Sequence, residues 1–340
     1  MFVGGASYHS EGLTGGSGGD NTAGQSCDPL TGGGAYTSGS GGVVTGSRQG
    51  PPPEDPWMQG AYRSDETMDT SSGGVVSNKY FPQQDFVFFD SVVKPEPVIK
   101  KLKEFNAVVP GDQRVDESVL EQLPSLTSSS SPDPGLVSAL LTVLQWPEQH
   151  TFPALDILRS SLLNSGAVSL ITEKSSLDQV FSSCLRHVTS SSPAPAQMLS
   201  LRCLTNLFHC EAGHQLMRTY RDSVVSRVME KLFPVPEDNK NIQIAAATLM
   251  LNFAVSVNQK FDDETQVQLL SVLSINFLTF ITDWEARFRV LVGVGTLLAS
   301  SPEAVEYGKT LELSDGVRSW RMLEGSAKVS ECAQFIESIL

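Results

Sequence analysis

Positive charge is scarce in this chain. Its 340 residues hold 24 Lys plus Arg against 38 Asp plus Glu, a formal net charge of −14. Nucleic acids and anionic membranes are bound chiefly through dense positive charge, so neither is an expected partner, and only a local basic groove stays open. Long apolar runs are scarce too. The longest, residues 242–257, is too short for a bilayer span and carries Gln243, Asn252 and Ser256. The opening MFVGGASYHS has no basic region followed by an apolar one, so a secretory leader is not expected and the chain reads as soluble. Cysteine is limited to five. Four of these (Cys184, Cys203, Cys210 and Cys332) fall within apolar helical patterns, where a reduced, buried thiol is the common case. Such thiols point to the cytoplasm or nucleus.

Phenylalanine and basic residues are nearly absent from the first 78 positions, where Phe2 is the only Phe and Arg48 and Arg63 the only cations. The same stretch holds 19 of the 28 glycines and eight acidic residues. It lacks the apolar surface needed to offset the entropy of ordering, so residues 1–78 are expected to form a disordered Gly/Ser-rich linker and residues 79–340 the folded domain. Within the linker, DPLTGGGAY at 28–36 returns as DPWMQGAY at 55–62. The pair reads either as a short docking motif or as a low-complexity spacer.

Beyond the linker, helical pattern dominates. Residues 79–90, KYFPQQDFVFFD, pack five aromatics into twelve positions and read as an extended anchor docking on the domain. Apolar residues at three- and four-residue spacing then predict helices over 97–108, 115–126, 136–146, 152–163, 177–188, 196–210, 223–233, 241–257, 264–281, 285–300 and 328–340. Pro- and Ser-rich breaks separate them. Overlaying DILRSSLL, LRCLTNLF, TLMLNFAV and VGVGTLLA puts Asn206 over Asn252 at a spacing of 46, Asn252 over Thr296 at 44, and Ser160 before Asn206 at 46. Armadillo and HEAT arrays repeat at about 40–47 residues, so the expected fold is an all-α, armadillo-like solenoid. A compact bundle would need the helices but not their period.

In a solenoid, residues at one repeat position form a ladder along the inner face. Asn206 and Asn252 suit an extended peptide, because a carboxamide both donates to and accepts from a peptide unit. Arg202, four residues before Asn206, Arg289, seven before Thr296, and Arg159, beside Ser160, bring three cations near that ladder. Guanidinium groups fit a carboxylate, whether of a side chain or of a peptide's C-terminal group. The spacing is equally that of helix capping and surface ion pairs. Cys203, His209, Cys210 and His214 invite a zinc reading, but their spacing matches no common structural zinc pattern, and Gly213 is expected to interrupt the helix, so neither metal nor cofactor is expected. Gly293-Val294-Gly295 lacks the third glycine and the preceding strand of a dinucleotide loop and reads as a close helix–helix contact. With no GxxxxGK[ST], HExxH or GxSxG, an enzyme is not expected.

Longer strings carry a resemblance. DPLTGGGAY and DPWMQGAYRS resemble the DPFTG-type linker repeats of the phospholipase A2-activating protein family, WD40 proteins that bind ubiquitin. YFP, IKKLKEFN, FPALDILR, LSLRCLTNLF, NKNIQIAAATLMLNFAV, WEARFRVLVGVGTLL and AKVSECAQFI resemble that family's C-terminal PUL domain, in order through nearly all of 79–340. The WD40 propeller and the PFU ubiquitin-binding domain have no counterpart here, so the chain looks like a fragment, a truncated gene model or a short isoform, and ubiquitin is expected to bind only through those domains. The resemblance implies an armadillo-like domain whose basic groove takes the acidic C-terminal tail of the AAA+ segregase valosin-containing protein, and a role in ubiquitin homeostasis, in the cytoplasm and nucleus. It implies groove residues Arg202 and Arg289, with Asn206, Asn252 and Arg159 beside them. The competing expectation is a scaffold or self-association module acting through its outer face.

Overall fold

The computed structural model describes residues 77–235 and 239–340; the repeated DP segments lie outside the described residues. Among the described residues there are helices and no strands. The first helices are α1 (Pro95–Asn106), α2 (Glu117–Gln122), α3 (Pro134–Leu144), α4 (Phe152–Ser161), α5 (Ser165–Ile171) and α6 (Lys174–Arg186). The middle of the array comprises α7 (Ala194–Asn206), α8 (Glu211–Thr219), α9 (Arg221–Arg227), α10 (Lys240–Gln259) and α11 (Asp263–Val272). It closes with α12 (Leu278–Phe280), α13 (Trp284–Leu298), α14 (Pro302–Thr310), α15 (Leu313–Arg321) and α16 (Ala327–Ile339).

Local chemistry sets the starts of these helices. Asp116, Asp133, Asn239, Asp262, Asp283, Ser301 and Ser326 each accept a backbone N–H of the first turn, satisfying one of its orphan donors. Proline sits in the first turn of α1, α3, α4, α7 and α14, where no donor is lost to the helix ladder. The stretch expected as one helix over 264–281 is α11, a π-helical turn at Leu273–Phe277 and α12 in succession. Four helices were not anticipated. Of these, α14 and α15 hold few apolar residues, yet Leu313, Val317 and Trp320 of α15 are buried at i, i+4, i+7 spacing.

The central helices form a spine, α4 packing on α7, α7 on α10, α10 on α13 and α13 on α16. The fold is the expected all-α, armadillo-like solenoid. α10 is buried over nearly its whole length, from Ile242 to Val257, which is why it looked like the longest apolar run. Gly293 faces α10, and a Cβ there would lie 3.6 Å from the Leu251 Cα, an ordinary contact that an alanine could make. Gly213 does not interrupt a helix. α7 ends at Asn206, and Gly213 sits inside α8, where a Cβ would meet the Leu207 carbonyl oxygen at 2.3 Å.

One buried group ties the stability of this array to pH. His187 is fully buried; its Nε2 accepts from Arg186 Nε at 3.1 Å and lies 3.2 Å from Thr151 Oγ1. Arg186 in turn donates to the carbonyls of Leu144 and Trp146 at the end of α3. Burial, and then the Arg186 charge, lower the His187 pKa to about 4, against a smaller opposing pull from Glu148. The native imidazole therefore stays neutral while the unfolded one, with a pKa near 6.5, takes up a proton. The stabilisation is complete above about pH 6.5 and is lost as pH falls towards 4, a total of about 3 kcal/mol. Denaturant titrations should show wild type losing about that much more than His187→Gln between pH 7 and pH 4; parallel losses would refute the assignment.

Candidate functional site

The spine helices turn a row of polar side chains towards one extended segment. Asn252, fully buried, accepts the Val87 N–H at 2.9 Å and donates to the Val87 carbonyl at 2.9 Å. Asn206, also fully buried, does the same for Phe89, at 2.8 and 2.9 Å. Thr296 accepts the Gln83 N–H at 2.9 Å, and Gln259 donates to the Gln84 carbonyl. At the far end Arg159 donates to the carbonyls of Phe89 and Ser91, both at 2.8 Å. The segment thus runs from α13 back to α4, opposite to the order of the helices in the chain. Two residues of extended backbone advance about 6.6 Å, less than the 8–10 Å between packed helix axes. The long Arg159 side chain and the four residues from Gln83 to Val87, where Gln83 Nε2 bonds the Asp85 carbonyl, take up that difference.

Alternation of the extended backbone sorts the aromatic side chains to two sides. Phe86 packs on Phe208 and His214, and Phe88 meets His209 edge-on, its ring centroid 5.3 Å away. Phe89 points the other way. Its ring lies 4.9 Å from the Arg202 guanidinium and 5.9 Å from that of Arg289, a cation–π arrangement drawn from two helices. Arg289 is held by Glu285 at 2.8 Å and Thr248 at 2.6 Å. Further along, Phe81 is buried over Gly295, where a Cβ would stand 2.3 Å from the ring. Tyr80 packs its ring on Phe288, and its hydroxyl donates to Glu331 at 2.6 Å beside a 2.6 Å Lys79–Glu331 ion pair. These two donors hold the Glu331 carboxyl below its ordinary value.

A family model, described as the PUL domain, matches residues 81–334, which begin at the buried Phe81 and take in the spine from α4 into α16. The chain belongs to the PUL domain family. It is 35% identical to "Phospholipase A-2-activating protein" of Xenopus laevis across 94% of this chain and 43% of that protein. It is 26% identical to "Ubiquitin homeostasis protein lub1" of Schizosaccharomyces pombe across 69% of this chain and 32% of that one. The chain thus spans less than half the length of these curated relatives. A crystal structure described as PUL matches with a TM-score of 0.56 at 17% identity, covering 77% of this chain and 99% of that one. The PFU-PUL pair of Saccharomyces cerevisiae Doa1/Ufd3 gives 0.55 at 18% identity over 75% and 79%. At these identities the likeness is one of fold.

Within this PUL domain the expected site residues divide in two. Asn206, Asn252 and Arg159 were expected to face a partner peptide; here their polar groups are taken up by residues 87–91 of the same chain. The expected anchor at 79–90 and the expected ladder are thus two halves of one arrangement. Arg159 rather than Ser160 supplies the first rung. It is only 2% exposed, paired with Asp156 at 2.8 Å, and tied to the next rung where Asn206 Nδ2 donates to its carbonyl. Arg202 and Arg289 form the second group, on the edge of the ladder where Phe89 projects. Partial burial pushes the Asp90 carboxyl up, opposed by its own N–H and by Arg159.

In the Gly-Val-Gly of the PUL domain it is Gly295 that needs the missing Cβ, since it seats Phe81. Cys203, His209, Cys210 and His214 do not converge. Cys203 Sγ donates to the Leu155 carbonyl and burial raises its pKa; His209 and His214 serve Phe88 and Phe86. No group of three or more potential metal ligands occurs among the described residues.

Proposed function

We propose that this PUL domain is a non-enzymatic adaptor of the ubiquitin system that binds the acidic C-terminal tail of the AAA+ segregase valosin-containing protein, in the cytoplasm and nucleus. The relatives named for ubiquitin homeostasis and for ubiquitin fusion degradation support the setting. The observation that carries the binding reading is the pair Arg202 and Arg289, brought to one edge from α7 and α13 beside the Phe89 ring. In a chain of net charge −14, two guanidinium groups on an ordered peptide edge select carboxylates by placement and not by bulk field. Asn206, Asn252 and Arg159 contribute by holding Phe89 where both arginines reach it.

Anisotropy titration of the tail peptide tests this. Two charge-assisted hydrogen bonds of about 1.5–3 kcal/mol each imply a loss of more than about 100-fold in affinity for Arg202→Ala plus Arg289→Ala, with thermal stability checked in parallel. Unchanged affinity in a folded double variant would sink the site. Phosphorylation of an aromatic residue near the tail's end should weaken binding through added charge and lost burial.

A further inference from the structure

A second cationic site lies on the opposite side of the ladder, one turn beyond Asn252. There, α8, the start of α9 and the junction of α10 with α11 enclose a cavity of about 200 Å³ lined by Arg218, Arg221, Lys260, Asp262, Gln215 and Ser256. Asp262 is engaged: it caps α11 through the Thr265 N–H and meets Arg221 at 3.1 Å. Arg221 bonds Thr265 and Asp222 as well. Arg218 and Lys260, by contrast, have no anionic partner among the described residues. Arg221 is answered by both Asp262 and Asp222, which leaves Arg218 and Lys260 as the two unpaired cations of the lining in a strongly acidic protein.

We propose that this cavity binds the phosphate monoester of a phosphorylated peptide side chain. A phosphomonoester brings close to two negative charges and three acceptor oxygens, matching the two unpaired cations Arg218 and Lys260 and the amide donors of Gln215. A carboxylate would leave one charge and several donors unmatched. Two features favour a peptide over a lipid headgroup. The net charge of −14 opposes approach to an anionic membrane, and the cavity adjoins a peptide-binding face: Ser256 lies 2.8 Å from His214, whose ring packs on Phe86 of the docked segment. Tyr220 and Phe261, both exposed, flank the lining next to Arg221 and Lys260 and offer apolar shoulders for a peptide backbone.

Calorimetric titration of the full chain with Ac-Gly-pSer-Gly-NH2, its unphosphorylated form, inorganic phosphate and phosphatidylserine vesicles decides it. The phosphopeptide should saturate at least 10-fold more tightly than the unphosphorylated form, with inorganic phosphate competing. Arg218→Ala plus Lys260→Ala should weaken it at least 10-fold and leave the Arg202/Arg289 tail titration unchanged. If the double variant does not fold, Lys260→Glu at its exposed position should give the same loss. Equal binding of the two peptides, binding indifferent to the variants, or uptake of inorganic phosphate alone would overturn the proposal. Vesicle binding that the variants abolish would overturn the peptide source.

Discussion

Replacing Gly295 with alanine should destabilise the domain by about 3 kcal/mol, and the loss should vanish when Phe81 is already alanine. A Cβ at Gly295 would stand 2.3 Å from the Phe81 Cδ1, far inside contact distance, and Phe81 is 1% exposed. The ring has to leave its seat, and burying a Phe is worth about 3–5 kcal/mol against truncation. Because Phe81 begins the docked segment, its release removes the anchor that aligns Gln83 with Thr296. Phe81→Ala should cost as much, and the double variant little more than either single, a coupling that only direct contact explains. For a domain of this size each kcal/mol shifts Tm by roughly 2–4 °C, so each single variant should melt about 6–12 °C lower. Additive losses would mean that Gly295 matters for a helix–helix contact, as its sequence first suggested, and not for the segment.

Asn206→Ala plus Asn252→Ala should be comparably severe. Each substitution strips a buried acceptor from one backbone N–H, of Phe89 or Val87, and Asn252→Ala leaves the Val87 carbonyl without its donor. An unmet buried polar group costs about 1–3 kcal/mol, so the pair should lose roughly 2–6 kcal/mol. Tail binding should fall as well, because Phe89 no longer holds its place between Arg202 and Arg289. Asn206→Ala has the softer effect of the two on carbonyls, since Arg159 still donates to Phe89. A double variant as stable as wild type would show that the segment is not held through its main chain.

Much of this arrangement was legible in residue order. The 46- and 44-residue steps through Asn206, Asn252 and Thr296 picked out three rungs, because a helix presents the same face at the same repeat position whatever surrounds it. The first rung slipped by one residue to Ser160: α4 reaches the segment with a long arginine, so its Cα need not sit where a short carboxamide would. The occupant of the ladder was harder to see. The aromatic density of 79–90 marked a docking segment, but only the fold brings Val87 within reach of Asn252, 165 residues away. α14 and α15 escaped notice because a polar helix at the end of an array needs few buried residues, three in α15, to hold its place.

Hydrogen exchange at the Val87 and Phe89 amides reads the self-occupied ladder most directly, because each has one acceptor, the side chain of Asn252 or Asn206. Both amides should be protected nearly to the level of global unfolding in wild type and exchange freely in the corresponding asparagine-to-alanine variant. Exchange in wild type at the rate of an unstructured peptide would contradict a ladder filled by the chain's own residues 83–91.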